Sequence, residues 1–325
     1  MNKISFYLPG FFNRMHLQLL LISLMEKHPE VFYENIRIGA IYGTFPGAIW
    51  NGGRTVLGQC DAMQMEYVLS EFNGRGIPLR FTFTNSLIGQ EHLEDEFCNL
   101  CLQLAVGSSS KIREESDAIE SAKDGQGAAD DGERNIVHNE VLVNSPVLEA
   151  YIRENYPSLP LISSTTKQIR SVEELAGELA KDYKLVVVYK AMNHDPALLT
   201  MPGRERLEIL LDSFCMDHCP RSAEHYLAAS QAQLEGRELI FPTEGKCHAI
   251  NRDFYDFFEN ESFVTVEELY GRFCDAGFCH FKLDGRTFTD ADVIESYVYY
   301  MVRPDYQERV RLILHKGMEK LRRMG

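Results

Sequence analysis

Two cysteines, Cys215 and Cys219, stand four positions apart in the segment CMDHCP, directly after the largely apolar run Leu207–Phe214. That run is expected to be a strand, and the carboxyl ends of strands are where an α/β barrel places its chemistry. Thiolates are the preferred soft ligands of metal and iron–sulfur centres. The spacing therefore predicts such a centre at the end of a strand. Further cysteines follow downstream at Cys247, Cys274 and Cys279.

The elements that must position these thiols follow a regular alternation. Eight β-type runs are each followed by a helical or connecting segment, which predicts parallel pairing and a (β/α)8 barrel. An open doubly wound sheet is the alternative. No G-x-G-x-x-G follows the first run, which argues against a dinucleotide-binding version. The predicted strands are Ile4–Leu8, Ile36–Tyr42, Leu79–Thr84, Glu140–Asn144, Leu161–Ser164, Leu185–Tyr189, Leu207–Leu211 and Phe278–Leu283.

Polar residues follow most of these strands, and a barrel would bring them to one mouth. The same residue types are also ordinary helix caps, so the pocket rests on their coincidence at several junctions. His194 and Asp195 are candidates for an acid–base pair, with an Asp N-cap beside an exposed His as the alternative. The predicted substrate-binding residues are Arg54, Asn85, Asn144, Lys167 and Arg286, while Arg221, His225 and Tyr226 would flank a centre at Cys219.

Domain organisation is predicted to be simple. Residues 1–292 form one barrel domain, and residues 293–325 form a C-terminal helical extension. The segment 107–134 is rich in Ser, Gly, Ala, Asp and Glu, with almost no large apolar residues. Because it cannot bury enough apolar surface to offset chain entropy, we expect a flexible acidic surface insertion, with a regulatory or partner-binding role as one option.

The composition argues against several classes of function. The chain has 325 residues and a formal net charge of −15 at pH 7, which argues against nucleic acid and for a small-molecule substrate. No apolar run reaches the roughly 18 residues that span a bilayer, so no membrane association is expected. Eight cysteines in a chain of this size do not indicate a disulfide scaffold. A reducing cytoplasm is the expected location.

The segment Phe281–Arg286 reads FKLDGR, and tyrosines follow at Tyr297, Tyr299, Tyr300 and Tyr306. This pattern resembles the K-(I/L)-(E/D)-G-R signature of the collagenase-like peptidase family (peptidase family U32). Gln307 departs from the Arg of the family's Y-R pair, and the family's S-G-R-C run is absent. The resemblance implies a barrel and, in several members, oxygen-independent hydroxylation of ubiquinone precursors or RNA. Members of the ubiquinone pathway hold a four-iron cluster on four cysteines, and paired members suggest a protein partner.

The resemblance favours an iron–sulfur cluster, of the 4Fe-4S type, over the zinc site that His218 or His248 would complete. Cys215 and Cys219 are the first predicted ligands and Cys247 is the third. The fourth is Cys98, ranked ahead of Cys279, unless an open iron position takes its place. The predicted function is oxygen-independent hydroxylation or a related redox modification of a small metabolite. The alternatives are a peptidase, metal-dependent or otherwise, and a non-catalytic subunit of a modification complex.

Overall fold

Eight parallel strands close into a barrel in a computed structural model of the chain, which describes residues 3–108, 137–217, 219–239, 253–285 and 288–324. Each strand pairs with its sequence neighbours, and β8 closes the ring on β1 through Ser5↔His280 and Tyr7↔Lys282. The predicted (β/α)8 fold is confirmed, and the open doubly wound sheet is excluded by this closure. The strands are β1 Ile4–Pro9, β2 Ile36–Gly43, β3 Leu79–Phe83, β4 Glu140–Val143, β5 Leu161–Ser163, β6 Leu185–Val187, β7 Leu207–Leu210 and β8 His280–Lys282.

The helices begin where the sequence supplies caps. Asp61 and Gln64 form a reciprocal capping box at the start of α2, and Thr289 with Asp292 does the same for α7. Ser145 caps α4 directly before Pro146. The helices are α1 Met15–Lys27, α2 Ala62–Asn73, α3 96–108, α4 Pro146–Asn155, α5 Val172–Leu179, α6 Ser222–Leu234, α7 Asp290–Met301 and α8 Gln307–Met324.

Side-chain alternation along the strands builds two apolar layers. Residues that point outward pack beneath the helices in one large buried cluster, to which α7 and α8 contribute Tyr297, Tyr300 and Leu314. Residues that point inward form a second, smaller cluster inside the barrel. This inner cluster consists of Tyr7, Ala40, Tyr42, Leu142, Ile162, Leu185 and Val187. Among the described residues, no helix is long and apolar enough to cross a membrane.

Near the amino ends of the strands, the barrel interior is ionic. The guanidinium of Arg80 donates to Glu140 Oε2 at 2.8 Å and to Glu208 Oε2 at 2.6 Å, and all three side chains are fully buried. Arg80 also lies over the ring of Tyr7, whose hydroxyl contacts His280 Nδ1 at 2.7 Å. This network ties β1, β3, β4, β7 and β8 together through the barrel interior.

Candidate functional site

The carboxyl ends of β6, β7 and β8 meet at one mouth of the barrel, and the two predicted thiols lie there. After β7 the chain runs through Asp212 into the loop that carries Cys215 and Cys219, both of which are half-buried. The Lys282 ammonium lies 4.0 Å from the ring centroid of Tyr42, and both side chains are buried just below this level. The thiol pair therefore occupies the position where barrel enzymes carry their chemistry.

Lys190 anchors the thiol loop from below. It lies three residues beyond Val187, the end of β6, and its side chain is buried. Its ammonium donates to the backbone carbonyl of Cys215 and, at 2.8 Å, to that of Met216. The same nitrogen lies 3.8 Å from Asp217 Oδ1. Because one ammonium satisfies two adjacent carbonyls, the loop conformation depends on this residue.

A second set of contacts anchors the loop from the opposite side. The amide of Asn260 donates to the Ser213 carbonyl at 2.8 Å, and the Ser262 amide donates to Asp217 Oδ2 at 3.1 Å. The thiol loop is thus held between Lys190 and the segment 260–262.

Lys190 also interacts electrostatically with the ionisable groups around the thiol loop. Burial lowers the pKa of Lys190, while the charges of Cys215, Asp217, Asp284 and Cys219 oppose that effect. These groups are therefore close enough to interact electrostatically.

Asp212 links the end of β7 to the signature segment after β8. Its carboxylate accepts from the Asp284 amide at 2.6 Å and from the Ser296 hydroxyl at 2.5 Å. Burial raises the pKa of Asp212 to about 7, although both hydrogen bonds act to lower it. Asp212 thereby fixes the position of Asp284 at the mouth and joins both to α7.

Helix α6 covers the mouth from the side of β2. It begins at Ser222, after a turn formed by Pro220 and Arg221. The Arg54 guanidinium lies 3.2 Å from His225 Nε2 on this helix and 4.5 Å from the ring centroid of Phe214. Arg221, His225 and Tyr226, which were predicted to flank Cys219, therefore lie beside the mouth together with Arg54.

Tyr226 lies within electrostatic range of the thiol loop. Burial raises its pKa to about 12, and the charges of Cys215 and Asp284 add to the effect while Arg54 opposes it. The hydroxyl of Tyr226 therefore stays protonated near neutral pH and is available as a hydrogen-bond donor.

Two of the predicted substrate-binding residues have structural partners instead. Asn85 is fully buried, and its amide donates to the carbonyls of Ile49 and Ser230, both at 3.0 Å. The Lys167 ammonium donates to Glu178 Oε1 at 2.6 Å and to the Tyr183 hydroxyl at 2.8 Å. Lys167 thus points between α4 and α5, away from the thiol loop.

Asn144 and Arg286 were also predicted to bind substrate, and the structure describes only the first of them. The Asn144 amide donates to the Thr166 hydroxyl at 2.7 Å, at the ends of β4 and β5. This contact keeps Asn144 at the mouth. Arg286 lies outside the described residues.

The predicted acid–base pair of His194 and Asp195 is not formed. His194 Nε2 lies 3.0 Å from Glu268 Oε1, a residue of the π-helical turn Glu268–Phe273. Asp195 Oδ1 accepts from the Ala197 amide at 2.9 Å and caps the short 3-10 helix Pro196–Thr200. The helix-capping alternative for Asp195 is therefore what the structure shows.

Cys98 and Cys279, the alternative fourth ligands, are separated from the thiol pair. Cys98 is fully buried in the outer core on α3, and burial raises its pKa well above its ordinary value, with Asp95 adding to the effect. Cys279 lies at the opposite end of the barrel, where its carbonyl accepts from the Ser5 amide before β8 begins. Cys247 lies outside the described residues, as do His218 and His248.

A four-iron cluster takes four ligands, and the described part of the chain places two of the predicted ones, Cys215 and Cys219, in one loop. No group of three or more His, Cys, Asp or Glu side chains placed to hold a metal ion occurs among the described residues. A cluster held by Cys215 and Cys219 would therefore draw its other ligands from outside the described ranges, where Cys247 lies.

The residues that sequence analysis missed are the charged groups Lys190, Asp212 and Asp284. Each directly follows or closely follows a predicted strand, which is the signal that would have found them. A charged residue at a strand end can point either into the mouth or into solvent. The tertiary structure decides between these directions, because Lys190 reaches the thiol loop while Asp212 is fully buried against the Asp284 amide and Ser296 of α7.

No family model matches the chain. No curated protein matches it either. A search of solved structures finds the U32 peptidase Mk0906 at 16% sequence identity and a TM-score of 0.49, covering 89% of this chain and 95% of that chain. That protein carries the name of the family whose signature Phe281–Arg286 resembles. At this level of similarity the match says nothing about the reaction, and the barrel assignment rests on the strand pairing.

Proposed function

We propose that the chain is an iron–sulfur enzyme that modifies a small metabolite at the barrel mouth, by oxygen-independent hydroxylation or a related redox reaction. The observation that carries the proposal is the convergence of Cys215 and Cys219 with the buried ammonium of Lys190 at the carboxyl ends of β6 and β7. Free thiols of this kind persist in a reducing cytoplasm.

The chain's own residues have definable tasks in this proposal. Cys215 and Cys219 would hold the cluster, which supplies a one-electron donor and acceptor when bound. Lys190 holds the loop through the carbonyls of Cys215 and Met216. Tyr226 supplies a protonated hydroxyl within electrostatic range of Cys215, and Asp212 fixes the backbone of Asp284 beside it. Water and substrate would meet these groups at the mouth.

A peptidase is the alternative, and a non-catalytic subunit of a modification complex is the next. The predicted acid–base pair for a peptidase is absent, because His194 pairs with Glu268 while Asp195 caps a helix. The contacts therefore favour the redox enzyme over a hydrolase that depends on His194 and Asp195.

The test is the absorption spectrum of anaerobically purified protein, with iron, sulfide and zinc measured on the same sample. We expect a broad visible band with equal iron and sulfide, lost in Cys215→Ala and in Cys219→Ala. Cys279→Ala is the matched control, since this half-buried thiol lies at the opposite barrel end and should leave the band unchanged.

Two other results of this assay would indicate a different function. Colourless protein that carries stoichiometric zinc would indicate a structural or hydrolytic metal site. Colourless, metal-free protein from an anaerobic preparation would refute the iron–sulfur proposal and leave the peptidase and the subunit.

A further inference from the structure

We propose that the barrel mouth binds an anionic group of its ligand, a carboxylate or a phosphate, and that Arg54 is the residue that receives it. The inference rests on the proposed function only in taking the ligand to enter at the same mouth. It specifies the chemical class of that ligand.

Arg54 is enclosed by protein but is not neutralised by it. Its guanidinium lies 4.5 Å from the ring centroid of Phe214, donates to the Gly53 carbonyl at 2.8 Å and contacts His225 Nε2 at 3.2 Å. The Nε atom is buried and has no hydrogen-bond partner. Within the described ranges, no carboxylate lies within ion-pair distance of this side chain. A buried guanidinium N–H without an acceptor is destabilising, and an anion beside the guanidinium would supply the counter-charge that the described residues do not.

His225 does not compensate for this charge. Burial lowers its pKa to about 4, and the charges of Arg54 and Arg221 lower it further, so the ring is neutral near pH 7. Nε2 then accepts from Arg54 and holds the guanidinium in place. Arg54 and Arg221 therefore flank a neutral histidine at this rim, and of the two only Arg221 is ion-paired among the described residues, with Glu224 at 3.1 Å.

Neighbouring groups add to the positive potential on the same side of the mouth. The thirteen-residue helix α6 begins at Ser222 without a side-chain cap, so its first amides carry the positive end of the helix dipole. Ser222 accepts from Gln168 at 3.1 Å, and Gln168 in turn accepts from Arg170 at 3.1 Å. These contacts place the Arg170 guanidinium beside the start of α6, 4.8 Å from the ring centroid of Tyr189.

The chemistry of the guanidinium selects the ligand class. Its planar array of donors matches the two oxygens of a carboxylate or phosphate, and a neutral ligand would leave the charge of Arg54 unpaired. A purely structural role for Arg54 over Phe214 predicts no saturable anion binding. That difference makes the inference testable without turnover.

The test is a titration of the protein as purified with orthophosphate, acetate and succinate at constant ionic strength, followed by calorimetry and by the melting temperature. Wild-type protein should bind at least one of these anions saturably, beyond a matched KCl control. Arg54→Gln should weaken that binding at least tenfold, and Arg54→Lys should weaken it less because the charge is kept. Arg75→Gln is the control, since Arg75 is a partly exposed arginine paired with Glu71 on α2.

Each result decides the question. Binding confined to phosphate, or to the carboxylates, identifies which anion the site accepts. Saturable binding that is unchanged in a folded Arg54→Gln variant would overturn the inference, and so would the absence of any anion effect beyond KCl. Iron and sulfide are measured separately, so anion binding in a cluster-free protein would refute the proposed function while leaving this inference intact.

Discussion

At the scale of single residues, the protein contains ionisable groups that are held in the neutral form by burial. His280 and His225 are the clearest cases, because burial and nearby cations lower the pKa of each to about 4. His280 belongs to the network in the barrel interior, and its Nδ1 contacts the Tyr7 hydroxyl at 2.7 Å. The residues that organise the mouth differ from these histidines, because Lys190 and Arg54 act there as cations.

The depressed pKa of His280 predicts an acid-labile fold. The unfolded chain titrates this residue near its ordinary value of about 6.5, so between that pH and about 4 the unfolded state binds more protons. The free energy of unfolding should therefore be fully retained above pH 6.5 and fall as the pH is lowered towards 4. His280→Asn, which can keep the hydrogen bond to Tyr7, should reduce this slope by about 1 kcal/mol per pH unit.

Urea denaturation at pH 4.5, 5.5, 6.5 and 7.5 measures this slope. His16→Asn is the control, because His16 is exposed on α1. An identical slope in wild type and His280→Asn would show that His280 is not the group responsible.

At the scale of elements, the mouth depends on close backbone contact between the loop after β2 and the end of β3. A Cβ atom at Gly52 would lie 2.3 Å from the Thr84 carbonyl oxygen and 2.5 Å from the Asn85 amide nitrogen. Both neighbours are backbone atoms, so they cannot rotate away. The absence of a side chain at Gly52 is therefore what allows the loop to place Arg54 against α6.

Gly52→Ala should move this loop. We expect a loss of about 1–3 kcal/mol in the free energy of unfolding, typical of overpacking, and weaker anion binding through Arg54. Gly177→Ala is the matched control, since a Cβ there meets no atom within 4 Å and the residue lies within α5. That change should stabilise the protein by about 0.5–1 kcal/mol.

Urea denaturation of the two variants, together with the anion titration, tests this pair. Equal stability of wild type and Gly52→Ala would contradict the close packing of the loop against β3.

At the scale of the whole molecule, Arg80 joins strands that are far apart in the sequence. It bridges Glu140 on β4 and Glu208 on β7 inside the closed barrel, and Lys184 also contacts Glu140. A buried ion network of this kind adds little net stability over a well-packed apolar core. Removing one member is different, because it leaves buried charges without compensation.

Arg80→Met should therefore lower the free energy of unfolding by about 3–5 kcal/mol, since two buried carboxylates lose their shared cation. Arg75→Met is the control, because Arg75 makes an i,i+4 ion pair at the surface, where such pairs contribute about 0–1 kcal/mol. Chemical denaturation followed by circular dichroism measures both. A loss below about 1 kcal/mol for Arg80→Met would mean that Glu140 and Glu208 are accommodated without it.

The sequence by itself determined the architecture and the position of the thiol pair. Strand and helix periodicities are local, so the alternation predicted eight parallel strands, and the ends of those strands placed Cys215 and Cys219 at one mouth. Only the tertiary structure decided in which direction the long polar side chains point. Lys167 and Arg54 both follow a strand, yet one turns outward to Glu178 and the other inward to His225.

The same limit applies to the predicted ligand set and to the organising lysine. Cys98 joins the core beneath α3, and Cys279 lies at the far end of the barrel from Cys215. Lys190 meets the thiol loop only because β6 and β7 are neighbours in the closed barrel. Contacts between residues distant in sequence depend on barrel closure and on the direction of each side chain. Neither the closure nor the side-chain directions can be read from the spacing of residues in the sequence.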